Sequence, residues 1–183
     1  MIKGWTWFNE PATWTAGEDS LTVTTDPDTD FWRTTHYGFI RDTGHLLGTE
    51  LEVDFTLTAT VAGDYREQYD QAGIAIRVDE QNWIKSGIEL VDGHQRISAV
   101  VTRGFSDWSM APVDDPATVT VRAERSGDTV SIRYGLDGAE PTTLLRLAYL
   151  PPATTVRAGV MAASPTGRGF TTRFTKVALA PRG

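Results

Sequence analysis

The chain has 183 residues and no cysteine, and its 24 acidic side chains outnumber its 17 Lys and Arg for a net charge of −7. A domain of this length buries a sizeable core without crosslinks, and the absence of cysteine excludes disulfides and thiolate metal sites. Charges of both signs are mixed along the chain, so no basic surface points to a nucleic-acid partner.

Nothing in the sequence predicts a membrane segment. No apolar run approaches the roughly 18 residues of a transmembrane helix. The start, MIKGWTWFNEPATW, lacks the apolar stretch of a signal peptide. We therefore expect a soluble, cytoplasmic protein with no membrane partner.

Apolar and polar residues alternate with a period of two from end to end, and no segment shows helical periodicity. In the segment 51–59, LEVDFTLTA, this alternation predicts a strand that buries Leu51, Val53, Phe55 and Leu57. The last predicted strand changes phase between Phe174 and Val177, which indicates a bulge. In chain order, strands are predicted at residues 20–25, 51–59, 72–78, 83–91, 94–103, 118–124, 129–136, 143–149, 155–163 and 170–179.

Ten or more short strands without crossover helices predict an all-β domain of two stacked antiparallel sheets, a jelly-roll sandwich. The chain contains no internal repeat and no linker, so residues 1–183 are interpreted as one domain. The irregular segment DFWRTTHYGFIRDTGH, residues 30–45, is predicted as a structured loop with an edge strand. Its Trp32, His36 and Tyr37 either line a binding groove or pack locally, since loops of sandwiches carry much of the recognition.

The pair Asp92-Gly93 predicts a two-residue type I′ hairpin that places Val91 opposite His94. This register sets Ile88 opposite Ile97 and Ile84 opposite Val101 on the core face, which is the agreement that a correct register requires. The opposite face carries the pairs Glu89–Arg96, Gly87–Ser98, Lys85–Val100 and Trp83–Thr102.

The strand before this hairpin, QAGIAIRV, can pair through a shorter or a longer loop. The longer loop places Arg77 opposite Lys85, a like-charge pair, whereas the shorter one places Arg77 opposite Trp83 in a cation–π contact. We prefer the shorter loop. It also aligns Gln71 with Glu89 and Gly73 with Gly87.

These rows predict a shallow polar groove. Glycine inside a strand often marks a place where a ligand approaches the backbone, so Gly73, Gly87 and Ser98 are interpreted as its floor. Trp83 and Arg77 form one end, and the remaining sides carry Gln71, Lys85, Glu89 and Arg96. Such a groove suits a hydroxylated ligand, and the alternative is an ordinary solvated face with a Glu89–Arg96 ion pair.

Catalysis is less well supported by the pattern. Glycoside hydrolysis requires two carboxyl groups about 5 to 10 Å apart, and Glu89 is the sole acid that the register places on the floor. Asp70 or Asp107, from neighbouring loops, could supply the second. A polysaccharide lyase would use cations such as Lys85, with Tyr69 or His36 as the base. His36, His45 and the Asp-rich loops lack a convincing ligand set, so no metal and no cofactor are predicted.

Four segments carry a resemblance to a known family: TDFWRTTHYGFIRDTGH, YDQAGIAIRVDEQNWIKSGIEL, VDGHQRISAVVTRGFSDWS and SPTGRGF. Over about residues 5–179 the chain resembles an uncharacterised domain family of the regulation-of-enolase type, found in bacteria and fungi. The resemblance implies a concanavalin A-like jelly roll of the lectin/glucanase superfamily and brings no established catalytic residues. The positions that coincide with the family's pattern are Gln71, Gly73, Arg77, Trp83, Lys85, Gly87, Glu89, Ser98, Asp107 and Trp108.

Three functional hypotheses follow. The preferred one is a lectin-like protein that binds a small carbohydrate or oligosaccharide, because no acid pair is visible in the sequence. The second is a glycan-active lyase or hydrolase in which Lys85 and Glu89 are catalytic. The third is a regulatory protein that binds a carbohydrate-metabolism enzyme. The predicted ligand-binding residues are Gln71, Gly73, Arg77, Trp83, Lys85, Gly87, Glu89, Arg96, Ser98, Trp32, His36 and Trp108.

Overall fold

The structure is a computed structural model and describes residues 2–152 and 154–182. These residues form sixteen β-strands and no helix, so none of them belongs to a helix that could cross a membrane. The strands are β1 (Thr6–Phe8), β2 (Thr13–Ala16), β3 (Ser20–Thr24), β4 (Phe31–Arg33), β5 (Ile40–Asp42), β6 (His45–Leu51), β7 (Phe55–Gly63), β8 (Gln71–Asp79), β9 (Asn82–Val91), β10 (His94–Arg103), β11 (Phe105–Pro112), β12 (Val119–Ser126), β13 (Thr129–Leu136), β14 (Thr143–Tyr149), β15 (Val156–Ala163) and β16 (Thr171–Pro181).

Two seven-stranded sheets stack on each other. The first, called the cavity sheet below, has the order β1-β6-β15-β8-β9-β10-β11, and the second, the back sheet, has the order β14-β13-β12-β7-β16-β3-β2. All of their strand pairs are antiparallel. Strands β4 and β5 form a separate ribbon. The predicted all-β sandwich is confirmed.

The main core lies between the two sheets, where the period-two alternation directs the apolar side chains of both. From the cavity sheet it receives Ile84, Ile88 and Ile97, and from the back sheet Leu57 and Val121, all buried. Burying a side chain of this size stabilises the fold by about 1.5–3 kcal/mol. The inward face of β9 is therefore an ordinary sandwich core.

Both predicted registers around β9 are confirmed. Asp92 and Gly93 have φ angles of 53° and 77°, as a type I′ turn requires, and Ile88 lies opposite Ile97. On the other side of β9, Arg77 lies opposite Trp83, which is the register of the shorter loop. The predicted bulge in the last strand is also present, as a register shift between Thr175 and Ala178.

The prediction of one strand over residues 51–59 is wrong. Strand β6 ends at Leu51 in the cavity sheet, and β7 begins at Phe55 in the back sheet. Residues 52–54 carry the chain from one sheet to the other, so Val53 is 49% exposed and Leu51 only partly buried. Alternation alone did not reveal the crossing, because the apolar positions on either side of it happen to stay in phase.

The segment predicted as a structured loop with an edge strand covers the outer face of the cavity sheet. Residues 26–44, called the cover segment below, include the β4–β5 ribbon. The cover segment is attached to the sheet by hydrogen bonds such as Arg33 N to Ser106 Oγ (2.9 Å), and its Phe31 and Trp32 are buried against the sheet. The outer face of the central strands is therefore not a solvated surface.

Candidate functional site

The stretch NWIKSGIEL forms most of β9, and both of its faces are buried. Ile84 and Ile88 face the main core, whereas Trp83, Lys85 and Glu89 face the cover segment with 3%, 5% and 7% exposure. Burying a charged side chain costs several kcal/mol unless it gains partners. The partners of Lys85 and Glu89 therefore define the site.

The ammonium group of Lys85 is held by the cover segment. Its Nζ donates to the carbonyl oxygen of Phe31 at 2.7 Å and lies 3.2 Å from Asp30 Oδ1. Asp30 is itself buried and also accepts a hydrogen bond from Gln71 Nε2 at 3.4 Å. The same Gln71 nitrogen donates to the carbonyl oxygen of Tyr69 at 3.1 Å. An amine, a carboxylate and an amide thus form one buried polar network.

Glu89 lies four residues along β9 from Lys85, on the same face. Burial raises the pKa of its carboxyl group, and the neighbouring Lys85 charge opposes this rise, as do the polar side chains of Ser98 and Trp108. Trp108 Nε1 donates to Ser98 Oγ at 3.1 Å, so these two groups are themselves linked. A carboxyl group with a raised pKa in a cavity is typical of functional sites.

Lys85 and Glu89 open onto a cavity of about 180 Å³ between the sheet and the cover segment. Five of its twelve lining residues are aromatic. The hydroxyl groups of Tyr37 and Tyr69, which both line the cavity, are hydrogen-bonded to each other at 2.8 Å, and partial burial together with this contact raises the pKa of Tyr37. The cavity is lined by Asp30, Trp32, Tyr37, Phe39, Arg41, Tyr69, Gln71, Lys85, Glu89, Trp108, Pro165 and Thr166.

The family described as "Protein of unknown function (DUF1349)" matches residues 7–182. The chain belongs to this family. "Regulation of enolase protein 1" of Saccharomyces cerevisiae is 40% identical over 180 residues, which cover 97% of this chain and 90% of that protein. A crystal structure of a functionally unknown protein from Saccharomyces cerevisiae matches with a TM-score of 0.92 and 38% identity, over 100% of this chain and 99% of that one.

The similarity of this DUF1349 chain to more distant solved structures concerns the fold only. The carbohydrate-binding module CBM66 from Bacillus subtilis matches with a TM-score of 0.62 and 16% identity, over 98% of this chain and 96% of that one. The GH43 protein BlXynB from Bacillus licheniformis matches with a TM-score of 0.71 and 14% identity, over 97% of this chain but 37% of that one. The jelly-roll prediction is confirmed.

Two predicted residues at one end of the groove do not line the cavity of this DUF1349 protein. Trp83 packs against Phe31, with ring centroids 6.0 Å apart, so its indole is covered and has no face free for a ligand. Arg77 places its guanidinium over the Phe8 ring, 4.1 Å from the ring centroid, rather than in the predicted cation–π contact with Trp83. Its guanidinium also forms a 2.6 Å ion pair with Asp42. Phe31 and Asp42 belong to the cover segment and Phe8 belongs to β1, so the register of β8 and β9 alone did not predict these contacts.

The glycine floor has a different cause from the one predicted. A Cβ atom on Gly73 would lie 2.0 Å from the Ser86 carbonyl oxygen, and one on Gly87 would lie 2.1 Å from that of Ala72. The neighbouring strand, and not a ligand, therefore requires glycine at both positions. Gly87 and Ser98 do border a small space of about 10 Å³ that also touches Lys85 and Glu89.

Arg96 and His36 also lie outside the cavity lining. Arg96 is half-buried and, within residues 2–152 and 154–182, forms no ion pair with Glu89. His36 is exposed, and its ring packs edge-on against Tyr37 at 4.7 Å. In contrast, Trp32 and Trp108 both line the cavity, together with Gln71.

Neither of the two acids considered as a partner for Glu89 lines the cavity. Asp70 is fully buried and accepts hydrogen bonds from the backbone of Arg66 and Glu67 and from Ser164 Oγ. Asp107 is exposed. The acid that does line the cavity is Asp30, which sequence reasoning missed. It opens the irregular aromatic segment 30–45, but no periodicity connects it to Lys85, 55 residues away.

Proposed function

We propose that the cavity binds a single sugar residue, either a free monosaccharide or the end of a glycan chain. The observation that carries this proposal is an aromatic-walled cavity of about 180 Å³ above the buried Lys85–Asp30–Gln71 network and Glu89. Pockets for drug-sized ligands measure about 300–1,000 Å³, so this volume favours one small ring.

The chemistry of the lining suits a hydroxylated ring. An ammonium group has three donors, and the Lys85 bonds to Phe31 and Asp30 leave a third for a ligand oxygen. Glu89 supplies a second polar group on the same face. Trp108 and Trp32 provide apolar surfaces for the C–H faces of a sugar. The stacking role predicted for Trp83 is therefore assigned to Trp108.

Two distant fold relatives support the choice of ligand class, since one is named a carbohydrate-binding module and the other a GH43 protein. A protein partner would be expected to bind a flat apolar face without a cavity. Because the outer face of the cavity sheet carries a cavity, we prefer sugar binding over the protein-partner hypothesis. The name of the yeast relative motivates that third hypothesis. An enolase-type partner of this chain would contact exposed apolar side chains such as Phe105 and Leu147.

The test is a thermal-shift screen against neutral and uronic monosaccharides, followed by calorimetry on any sugar that raises the Tm. We expect Trp108→Ala to weaken binding about tenfold, which corresponds to the loss of one aromatic contact. Tyr134→Ala is the matched control, because it removes a half-buried aromatic ring that does not line the cavity. A Trp108→Ala protein with undiminished affinity would count against the proposal.

Glycoside hydrolysis is the second candidate, favoured by the presence of Asp30 and Glu89 in one cavity. In this reaction the Glu89 carboxyl group would donate its proton to the glycosidic oxygen as the C–O bond breaks. Asp30 would take a proton from the water that attacks the anomeric carbon. Release of nitrophenol from nitrophenyl glycosides, abolished in Glu89→Gln, would establish it. No release by the unsubstituted protein would leave binding as the function.

A further inference from the structure

A second concave surface lies at an edge of the sandwich, away from the cavity. It is an open cleft of about 730 Å³ between β1 and β2, and it is called the edge cleft below. Three of the chain's six tryptophans, Trp5, Trp7 and Trp14, line it, and none of its lining residues lines the cavity. The edge cleft is therefore a distinct candidate site.

The topology explains why the indoles gather there. Strand β1 is the edge of the cavity sheet, and its Trp7 lies opposite Leu47, which is part of the main core. Strand β2 is the edge of the back sheet, and its Trp14 lies opposite Val23. The two sheets thus contribute one indole each, in edge-to-face contact with ring centroids 5.5 Å apart. Both indoles remain partly exposed.

The polar groups of the edge cleft are few and balanced. Trp14 Nε1 donates to Glu10 Oε1 at 2.8 Å, which holds this indole in place. Lys3 also lines the cleft, so one positive and one negative charge are present in a chain whose net charge is −7. Trp7 Nε1 is buried and has no hydrogen-bond partner among the described residues. A buried donor without a partner is rare and marks a place where an acceptor is missing.

We propose that the edge cleft binds a neutral oligosaccharide chain. Clustered, partly exposed indoles offer apolar faces to the C–H surfaces of successive sugar rings. The balanced charge of the lining gives no preference for an ionic partner. The volume is about four times that of the cavity, which is enough for several rings.

This proposal does not depend on the function of the cavity. The cavity accepts one ring, whereas the edge cleft accepts a run of rings, so the two sites differ in the ligand length that they require. Binding of a hexasaccharide that Trp14→Ala weakens and Trp108→Ala leaves unchanged would support the edge cleft alone. The converse result would support the cavity alone and overturn the edge cleft.

The experiment is calorimetric titration of the whole chain with xylohexaose, cellohexaose and maltohexaose, and with xylose and glucose. For at least one hexasaccharide we expect Trp14→Ala to weaken binding about tenfold, the equivalent of one lost stacking contact. Monosaccharide binding should not change. Leu147→Ala is the matched control, since it truncates an exposed apolar side chain at the opposite edge of the back sheet.

A second variant guards against misfolding. Ala16 is exposed and lines the edge cleft, so Ala16→Arg fills the cleft without removing a packed ring. We expect it to abolish hexasaccharide binding with an unchanged Tm. The proposal is overturned if no hexasaccharide binds, or if Ala16→Arg leaves binding intact. It is also overturned if sedimentation shows a dimer that this variant dissociates, because a second copy would then be the occupant.

Discussion

The outer face of strands β8 and β9 has two ends that differ sharply. At the Trp83 end, the indole is covered by Phe31, and Arg77 lies over the ring of Phe8. This end, called the closed end below, has no cavity within the described part of the chain. At the Glu89 end, aromatic rings from the cover segment and from the sheet stand around an open cavity. Lys85 lies between the two ends, with its ammonium group 5.7 Å from the Trp83 ring.

The comparison shows that the strands do not determine which end is functional. Both ends carry a charged group on the outer face of β9 or its neighbour β8, with the same alternation. The difference lies in the cover segment, which places a phenylalanine directly over one end and spans the other with Tyr37 and Trp32. An aromatic side chain on a sheet face thus becomes core or a binding wall according to what lies above it.

The largest effect is expected at the closed end. Trp83→Ala should lower the free energy of unfolding by about 4 kcal/mol, because it leaves a cavity beneath Phe31. Urea denaturation measures this change. Trp108→Ala, at the open end, should cost much less stability because that indole is already half-exposed. Equal losses of unfolding free energy for Trp83→Ala and Trp108→Ala would contradict the difference between the closed and the open end.

Lys85→Met tests the ion pair that lies between the two ends. It should destabilise the fold by about 3 kcal/mol, because Asp30 is left buried without its cation. Adding Asp30→Asn to this variant should restore part of the loss, since the uncompensated charge is then removed. Denaturation of the two single variants and the double variant completes the cycle. Purely additive costs would contradict the coupling.

Gly87→Ala tests the cause of the glycine row. We expect a loss of about 2 kcal/mol even without any ligand, because the new Cβ would overlap the Ala72 carbonyl oxygen and displace the strand. The measurement is again urea denaturation, with Gly93→Asn as control, since asparagine tolerates the positive φ of that turn. If Gly87→Ala does not change the stability, the glycines would again be interpreted as the floor of a ligand site.

The smallest expected effect is the pH dependence of stability that Glu89 causes at the open end. The folded state raises the pKa of Glu89, so it holds this proton more tightly than the unfolded chain does. The resulting stability is present in full below about pH 4.3, the ordinary glutamate value, and declines as pH rises toward the raised pKa. Relative to Glu89→Gln, the unsubstituted protein should therefore lose stability as the pH rises above about 4.3. Parallel stability curves for the two proteins would show that Glu89 is not perturbed.

Much of the scaffold was predictable because its signals are local. The two-residue turn at Asp92-Gly93 was sufficient to pair Glu89 with Arg96. Avoidance of the like-charge pair Arg77–Lys85 then selected the register that pairs Gln71 with Glu89. The crossing between sheets at residues 52–54 was missed, because alternation describes which face a residue occupies and not which sheet it joins.

The site was only partly predictable for a related reason. Lys85, Glu89 and Gln71 share one face by register, and the structure does place them together on the cavity. Asp30 belongs to a segment with no periodicity, so nothing local indicated its contact with Lys85. Trp83 was misjudged because a half-exposed indole and a covered one have the same sequence pattern.

The sequence by itself determined an all-β domain, the pairing of its central strands and the row of polar side chains on their outer face. These follow from backbone geometry with a period of two and from turn chemistry, which act over a few residues. Only the tertiary structure decided that residues 26–44 cover this face, which ring each end receives, and which carboxylate holds Lys85. Such contacts join side chains up to 55 residues apart, and they depend on how a segment of irregular backbone packs rather than on any repeated spacing.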